Sequence, residues 1–367
     1  MANKKRVMLL TTTLRVGGCE RMVYELAKGL SLRGVPVCVV ALTDTGPVED
    51  WLKAEGIPVY VLEMRSSFDW LVLFRLKKIL RKEKITVLHS FLFHSNLVAR
   101  IARFLFRVPV QISSVRTMEK GATWHLWVDR FTKWMTSFEL TNSELVRTFM
   151  IQSTGSDPYK IETIHNGTEL VISPGLERNK IRSELGLDKN AFVIGVVGSL
   201  THVKNHAFFI EMAAKLSKQQ NHLQFVIVGD GPLRSELESQ IESLGLKEFV
   251  HLIGFREDAR DIIGAFDLFV LTSRWEGFPN VLLEAMAQKV PILSSDVGGV
   301  REVIHDKVNG EVASQYDPGV FADRVLRMLK DPKSLRQYVE VNYKIVSSDY
   351  RLDAMIEKTN AVYDELL

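Results

Sequence analysis

The stretch Ser273-Arg-Trp-Glu-Gly-Phe-Pro-Asn-Val-Leu-Leu-Glu-Ala-Met-Ala287 reads as a strand end, a polar loop and the start of an apolar helix. The apolar run Leu268–Leu271 before it reads as a buried strand, the loop carries Glu276, Gly277 and Pro279, and Val281–Ala287 read as a helix. Within that helix only Glu284 is charged, and its neighbours Leu282, Leu283, Ala285 and Met286 are core-like. A carboxylate on a largely apolar helix at the C-terminal end of a strand needs a partner. Glu276 precedes it by eight positions, so both carboxylates can face one crevice. The helix N-terminus between them offers free N–H groups and the positive end of a dipole, which suits a phosphate. Two hydroxyl-binding carboxylates around an anion-binding helix end describe a site for a nucleotide-sugar. The alternative is a solvated loop glutamate plus a helix glutamate paired to a lysine.

On either side of this stretch, short apolar runs alternate with amphipathic ones along all 367 residues, which argues for parallel sheets flanked by helices. Expected strands in the first half are Val7–Thr12, Val35–Leu42, Val59–Leu62, Thr86–His89, Val110–Ser114, Glu139–Asn142 and Ile161–Ile164. In the second half they are Phe192–Val197, Gln224–Val228, Val250–Ile253, Leu268–Leu271 and Pro291–Ser294. Helices are expected over Glu20–Ser31, Trp70–Lys82, Asn96–Phe106, Asn205–Ser217, Leu233–Leu244, Phe321–Leu329 and Leu352–Leu367. The pattern restarts after Ile164, and the turn signals His165-Asn-Gly167 and Ser173-Pro-Gly175 place a domain junction near 168–176. The expected architecture is α/β, with two Rossmann-like doubly wound domains over 1–170 and 171–351 facing across a cleft.

Hydrophobic content of 46% and charged content of 25% are those of a soluble globular protein. A net charge of +3 gives no reason to expect nucleic acid. Cys19 and Cys38 make no disulfide framework and fit a reducing cytoplasm. Lys4-Lys-Arg6 followed by Val7–Leu10 has too short an apolar stretch for a signal peptide and reads as the first strand.

Glu276-x7-Glu284 within E-G-F-P-N-V-L-L-E-A-M-A resembles the signature of the retaining family-4 glycosyltransferases, which have the GT-B fold. Further motifs follow in the family's order. Gly17-Gly18-x-Glu20 opens the first helix, and glycines there let backbone approach a diphosphate. An ordinary tight turn is the alternative. The resemblance lays this loop over the donor diphosphate, with Glu20 towards the acceptor. Gly198-Ser199-Leu200 follows the first strand of the second half, and Lys204-Asn205 opens a helix. A lysine at a helix N-terminus opposes the dipole unless an anion sits there too, so Lys204 is expected to bind the donor β-phosphate; a solvated lysine is the alternative. Many relatives carry arginine where this chain has Ser199, so one cation of the expected clamp is absent. Gly229-Asp230-Gly231-Pro232 lacks the third glycine of a dinucleotide fingerprint; the resemblance sets it beside the nucleotide base. Arg256 is read as a surface residue, with a base-side contact as the alternative, and the resemblance makes Val297-Gly298-Gly299 a loop near the donor.

The resemblance implies that Glu276 contacts the sugar and Glu284 the ribose hydroxyls, with anomeric configuration retained and no enzymic nucleophile. Lys204 and N–H groups around Gly277, Phe278, Pro279, Asn280 and Val281 are expected to steady the leaving phosphate. No metal and no resident cofactor are expected, the co-substrate being a UDP- or GDP-sugar. A histidine near the reacting sugar is implied, with His89 and His94 as candidates and His94 preferred; a structural, hydrogen-bonded histidine is the alternative for either. Arg116 and Lys120 are expected to meet an acceptor phosphate or carboxylate. The acceptor is expected to be a saccharide or lipid-linked glycan, as in bacterial surface-polysaccharide or lipopolysaccharide assembly, and the last helix to return to the first domain. Phe74–Lys82 is basic and amphipathic, and Trp124–Trp134 mixes aromatics with cations, faces suited to an anionic membrane surface on the cytoplasmic side; a solvated face and a core stripe are the alternatives. A nicotinamide oxidoreductase, a non-catalytic nucleotide-sugar-binding protein and a pyridoxal-phosphate phosphorylase are the competing functions.

Overall fold

The computed structural model describes residues 5–66, 69–118, 123–170, 175–314 and 316–367. Lys4, Lys120 and the Ser173-Pro174 turn signal lie outside them. The chain divides into two compact units, 1–166 with 352–367 and 167–351.

The first unit contains β1 (Val7–Thr11), β2 (Val37–Ala41), β3 (Val59–Val61), β4 (Val87–Phe91), β5 (Val110–Val115), β6 (Phe138–Thr141) and β7 (Ile161–Thr163). They form one parallel sheet in the order β3-β2-β1-β4-β5-β6-β7. β1 and β2 are buried on both faces, which is why they read as unbroken apolar runs rather than as alternation. Successive side chains point to opposite faces, so Val7 and Leu9 enter one core and Met8 and Leu10 the other. The helix Leu352–Leu366 packs Met355, Ile356, Val362 and Tyr363 into the first of these cores.

The second unit contains β8 (Phe192–Val197), β9 (Leu223–Val228), β10 (Val250–Gly254), β11 (Leu268–Leu271), β12 (Ile292–Ser295) and β13 (Glu311–Ala313). Its parallel sheet runs β10-β9-β8-β11-β12-β13. Again the pleat sorts the residues: Val193, Phe269 and Leu271 face one core, Ile194, Leu268 and Val270 the other.

In both sheets the strand order reverses beside the first strand, between β1 and β4 and between β8 and β11. In doubly wound sheets, ligands bind at the carboxyl ends of the strands flanking such a reversal. Both reversal points carry a non-glycine residue at positive φ: Leu92 (φ 69°), after β4, and Asn205 (φ 54°), in the connection after β8. Asn205 (ψ 46°) is left-handed, a conformation that asparagine tolerates, whereas Leu92 (ψ 163°) lies in a region ordinarily left to glycine, at a cost of about 1–3 kcal/mol. Strain held at a strand end by surrounding structure is a mark of a functional loop.

Candidate active site

Connections after β8 and β11 meet at the reversal point of the second unit. The Arg274 amide donates to the Val203 carbonyl at 2.8 Å, and the Thr272 hydroxyl to the Lys204 carbonyl at 3.0 Å. Ser295, at the end of β12, donates to the Ser273 carbonyl at 2.8 Å. These bonds fix Lys204 Nζ 2.6 Å from Glu276 Oε1, and the Ser273 hydroxyl donates to the same oxygen, also at 2.6 Å. The Glu276 side chain is 11% exposed and that of Lys204 24%, so the pair is shielded yet reachable. Residues 72 apart in sequence thus form one charged centre.

The helix Asn280–Ala287 starts just beyond, with Pro279 at its N-cap and no side chain capping it. Phe278 is buried in the core beneath, beside Tyr350. Glu284 is half-buried on this helix between the buried Leu283 and Ala285, and no side chain among the described residues pairs with its carboxylate.

Backbone packs on backbone below the centre. Gly229 has φ 145°, and a Cβ there would come within 1.9 Å of the Gly198 carbonyl oxygen. A Cβ on Gly231 would meet the Leu200 carbonyl oxygen at 2.7 Å, and the Leu200 amide donates to the Asp230 carbonyl at 3.0 Å. Ser199 is exposed. The Asp230 carboxylate accepts from the Gly231 amide at 2.7 Å and lies 3.4 Å from Arg234. Arg256 is held by Asp258 through two bonds of 2.7 and 2.6 Å, in keeping with a surface residue.

Three contributors were not singled out from sequence. Arg274 is exposed and sets Nη2 3.5 Å from Asn205 Oδ1, supplying a cation to the loop in which Ser199 stands. Tyr316 lies beside Ser295, its hydroxyl pushed up by burial. His206 is buried, and its Nε2 lies 3.2 Å from both the Gly198 and Ser199 carbonyls, so Nε2–H donates and Nδ1 is left without a partner. Burial, reinforced by the Lys204 charge, lowers the His206 pKa to about 4. The only sequence signal for these three was their adjacency to the glycine loop, the glutamate loop and the end of β12.

Gly17, Gly18, Glu20, His94 and Arg116 belong to the first unit. Gly17 is the N-cap of the helix Gly18–Leu32, and Glu20 folds back so that a Cβ on Gly17 would meet its Oε2 at 2.4 Å. Burial raises the Glu20 carboxyl pKa. Arg116 donates to Asn166 and lies over the Phe91 ring at 5.3 Å, and burial lowers its pKa. His89 and His94 separate clearly. His89 is fully buried in the middle of β4, bonded to Tyr363 at 2.6 Å and Ser114 at 2.7 Å, with burial holding it neutral. His94 is half-buried in the first turn of the helix Phe93–Phe106, directly after strained Leu92.

A pH dependence follows from His206 and His89. Both have folded pKa values below the ordinary 6.5, so the unfolded chain takes up protons first as pH falls. Stability is full above pH 6.5 and is lost as pH drops towards the folded values. For His206 the loss between pH 6.5 and 5 is about 2 kcal/mol. Urea unfolding at pH 7 and pH 5 checks this, and His206→Gln should flatten the dependence; an equal slope in the variant would remove His206 as its source.

Family models match both units: Glycosyltransferase Family 4 over residues 16–171 and Glycosyl transferases group 1 over 177–345. The chain is 29% identical over 345 residues to the UDP-Gal:alpha-D-GlcNAc-diphosphoundecaprenol alpha-1,3-galactosyltransferase of Escherichia coli, covering 86% of this chain and 88% of that one. It is 27% identical over 365 residues to a GalNAc-alpha-(1->4)-GalNAc-alpha-(1->3)-diNAcBac-PP-undecaprenol alpha-1,4-N-acetyl-D-galactosaminyltransferase of Campylobacter jejuni, covering 96% of each. Among solved structures, Anabaena Alr3699/HepE in complex with UDP and glucose superposes with a TM-score of 0.89 at 22% identity, over 98% of this chain and 100% of that one. With both units matched, and with the Rossmann-like pair of sheets that carries them, the chain belongs to the family-4 glycosyltransferases.

Proposed function

We propose that this glycosyltransferase moves a sugar from a nucleoside diphosphate to a lipid-linked glycan with retention of anomeric configuration and without a metal ion. The observation that carries the proposal is the 2.6 Å contact of Lys204 with Glu276. In a nucleotide-sugar the β-phosphate and the sugar share one oxygen. A donor whose phosphate meets Lys204 therefore brings its sugar against Glu276. Lys204, Arg274 and the uncapped start of the helix Asn280–Ala287 would together offset the charge of the leaving diphosphate, the role a metal plays in other transferases. Glu284 would take the ribose hydroxyls. No side chain need attack the sugar: the departing phosphate oxygen would accept the acceptor's proton as the new bond forms on the same face.

UDP is the donor nucleotide favoured here, and an acceptor on a lipid diphosphate the favoured class, because the Escherichia coli relative is named for both. Saccharide-linked acceptors without lipid and GDP-sugars are the competing choices. In the first unit, His94 is proposed beside the reacting sugar, Gly17 and Gly18 along the diphosphate, and Glu20 and Arg116 towards the acceptor. A lipid-linked acceptor would put the reaction at the cytoplasmic face of a membrane.

Lys204→Ala is expected to weaken UDP binding about 10–100-fold and to leave uridine binding unchanged, the loss of one charge-assisted hydrogen bond. Calorimetric titration of both ligands reads this directly, and equal losses for the two would rule out the phosphate role. A thermal-shift screen with UDP, GDP, ADP, CMP and NAD, with and without EDTA, tests donor and metal independence together, since a nucleotide bound to the native state raises the melting temperature. Stabilisation by NAD alone would return the oxidoreductase reading.

A further inference from the structure

The helix Thr123–Thr132 and the 133–135 turn that continues it hold Trp124, Trp127, Phe131 and Trp134 between 55% and 67% exposed. The spacing of three, four and three residues sets them in one stripe along a helical face. Trp127 and Phe131 stack with ring centres 6.1 Å apart, and Trp134 meets Phe104, itself 60% exposed, at 5.7 Å. Large aromatic rings exposed side by side, rather than singly, mark an interaction site.

Its charges are of one sign. Arg107 and Arg130 are exposed beside the stripe, and neither has a carboxylate partner among the described residues. Arg103, Phe104, Arg107, Val108, Trp134 and Met135 line a groove there. The one acidic residue of the helix, Asp129, points inward to the buried Arg100. Next to this face, through Lys77 stacked 5.2 Å over Phe106, the helix Leu71–Lys82 repeats the composition. Leu71 and Phe74 are 66% and 65% exposed, Lys78 and Arg81 are exposed, and the helix contains no acidic residue.

We infer that this face docks on an anionic phospholipid bilayer, the aromatic rings entering the headgroup layer and the arginines and lysines meeting lipid phosphates. Tryptophan with an apolar body and a polar edge suits that layer, and long cationic side chains extend from apolar surface to charged headgroups. A second copy of the chain fits poorly, because a twofold contact would set the basic face against itself. The inference deepens the proposed reaction on a lipid-linked acceptor by giving the enzyme its membrane-facing side, and it rests on that reading only for its purpose.

The test uses the whole protein, without donor or acceptor. Wild type is expected to float with phosphatidylcholine vesicles containing phosphatidylglycerol, with a blue shift in tryptophan emission, and not with phosphatidylcholine alone. The exposed double variants Trp127→Ser/Phe131→Ser and Arg107→Glu/Arg130→Glu are each expected to bind at least about tenfold more weakly. Melting temperature and UDP-induced shift should stay at wild-type values, so a failure here stands apart from a failure of the proposed reaction. No vesicle binding, equal binding to neutral vesicles, or undiminished binding by both variants would overturn the inference. So would sedimentation as a dimer that Trp127→Ser/Phe131→Ser breaks apart, which would give the face to a second copy.

Discussion

Glu276→Gln is expected to lower turnover by roughly two to three orders of magnitude and to leave UDP affinity within about threefold of wild type. The substitution keeps the side chain's volume, and glutamine Oε1 can still accept from Lys204 and Ser273, which now hold Glu276 at 2.6 Å each. What it removes is a negative charge. During transfer of a sugar the anomeric centre gains positive, oxocarbenium-like character that the ground-state donor lacks. A fixed carboxylate beside that centre interacts more strongly with the transition state than with the bound donor, so its loss falls on turnover rather than on binding. Glu276 suits this role because its side chain is 11% exposed and its orientation is set by two bonds rather than by solvent. Steady-state rates with donor and acceptor, beside calorimetric UDP binding, separate the two effects. A large loss of UDP affinity with unchanged turnover would make Glu276 a nucleotide-binding group and sink the assignment. A large fall in melting temperature would make it a structural one.

The parts of this site that were legible in sequence are those with a local cause. β8 and β11 have the ends that their apolar runs dictate, because both are buried on two faces and stop where the polar loops begin. Glu284 stood out because a carboxylate is conspicuous between leucine and alanine. β13 went unread because three residues make no period and its Glu311 breaks the apolar run; that carboxylate is matched by Arg324 at 2.7 Å, a contact between separate elements. The helix Pro332–Asp349 was missed although Asp331 followed by proline is a readable N-terminus, and Asp331 does accept from the Ser334 amide at 3.1 Å. Other features exist only in three dimensions. The Lys204–Glu276 pair joins two loops that a local window cannot connect. His206 is set apart from an ordinary helix residue by two carbonyls, and the choice between His89 and His94 rested on Tyr363, 274 positions from His89. The aromatic stripe around Trp127 could be read as core or as surface from its spacing alone, because a helical period specifies a face and not what covers it.

Gly298→Ala is expected to cost about 2–4 kcal/mol of stability and to lower activity about a hundredfold, although residue 298 contributes no side chain to the site. Gly298 has φ 52°, and a Cβ there would lie 1.9 Å from the carbonyl oxygen of Glu276 and 2.6 Å from its carbon. Both neighbours are backbone, so no rotamer change relieves the contact. The alternative is movement of the 272–279 loop, which is tied down by the Gly299 amide donating to the Gly277 carbonyl at 3.0 Å and by Ser295 donating to the Ser273 carbonyl at 2.8 Å. Clearing the clash requires a displacement of about 1 Å, enough to misplace Glu276 against a reacting centre by a hundredfold in rate. Gly245 provides the comparison. It has φ 68°, and a Cβ there would meet nothing within 4 Å. Gly245→Ala therefore pays the backbone term alone, about 1 kcal/mol, and should retain full activity. Urea unfolding and transfer rates of the two variants separate conformational strain from steric displacement. If Gly298→Ala lost no more activity than Gly245→Ala, the close approach of these two loops would have no part in positioning Glu276.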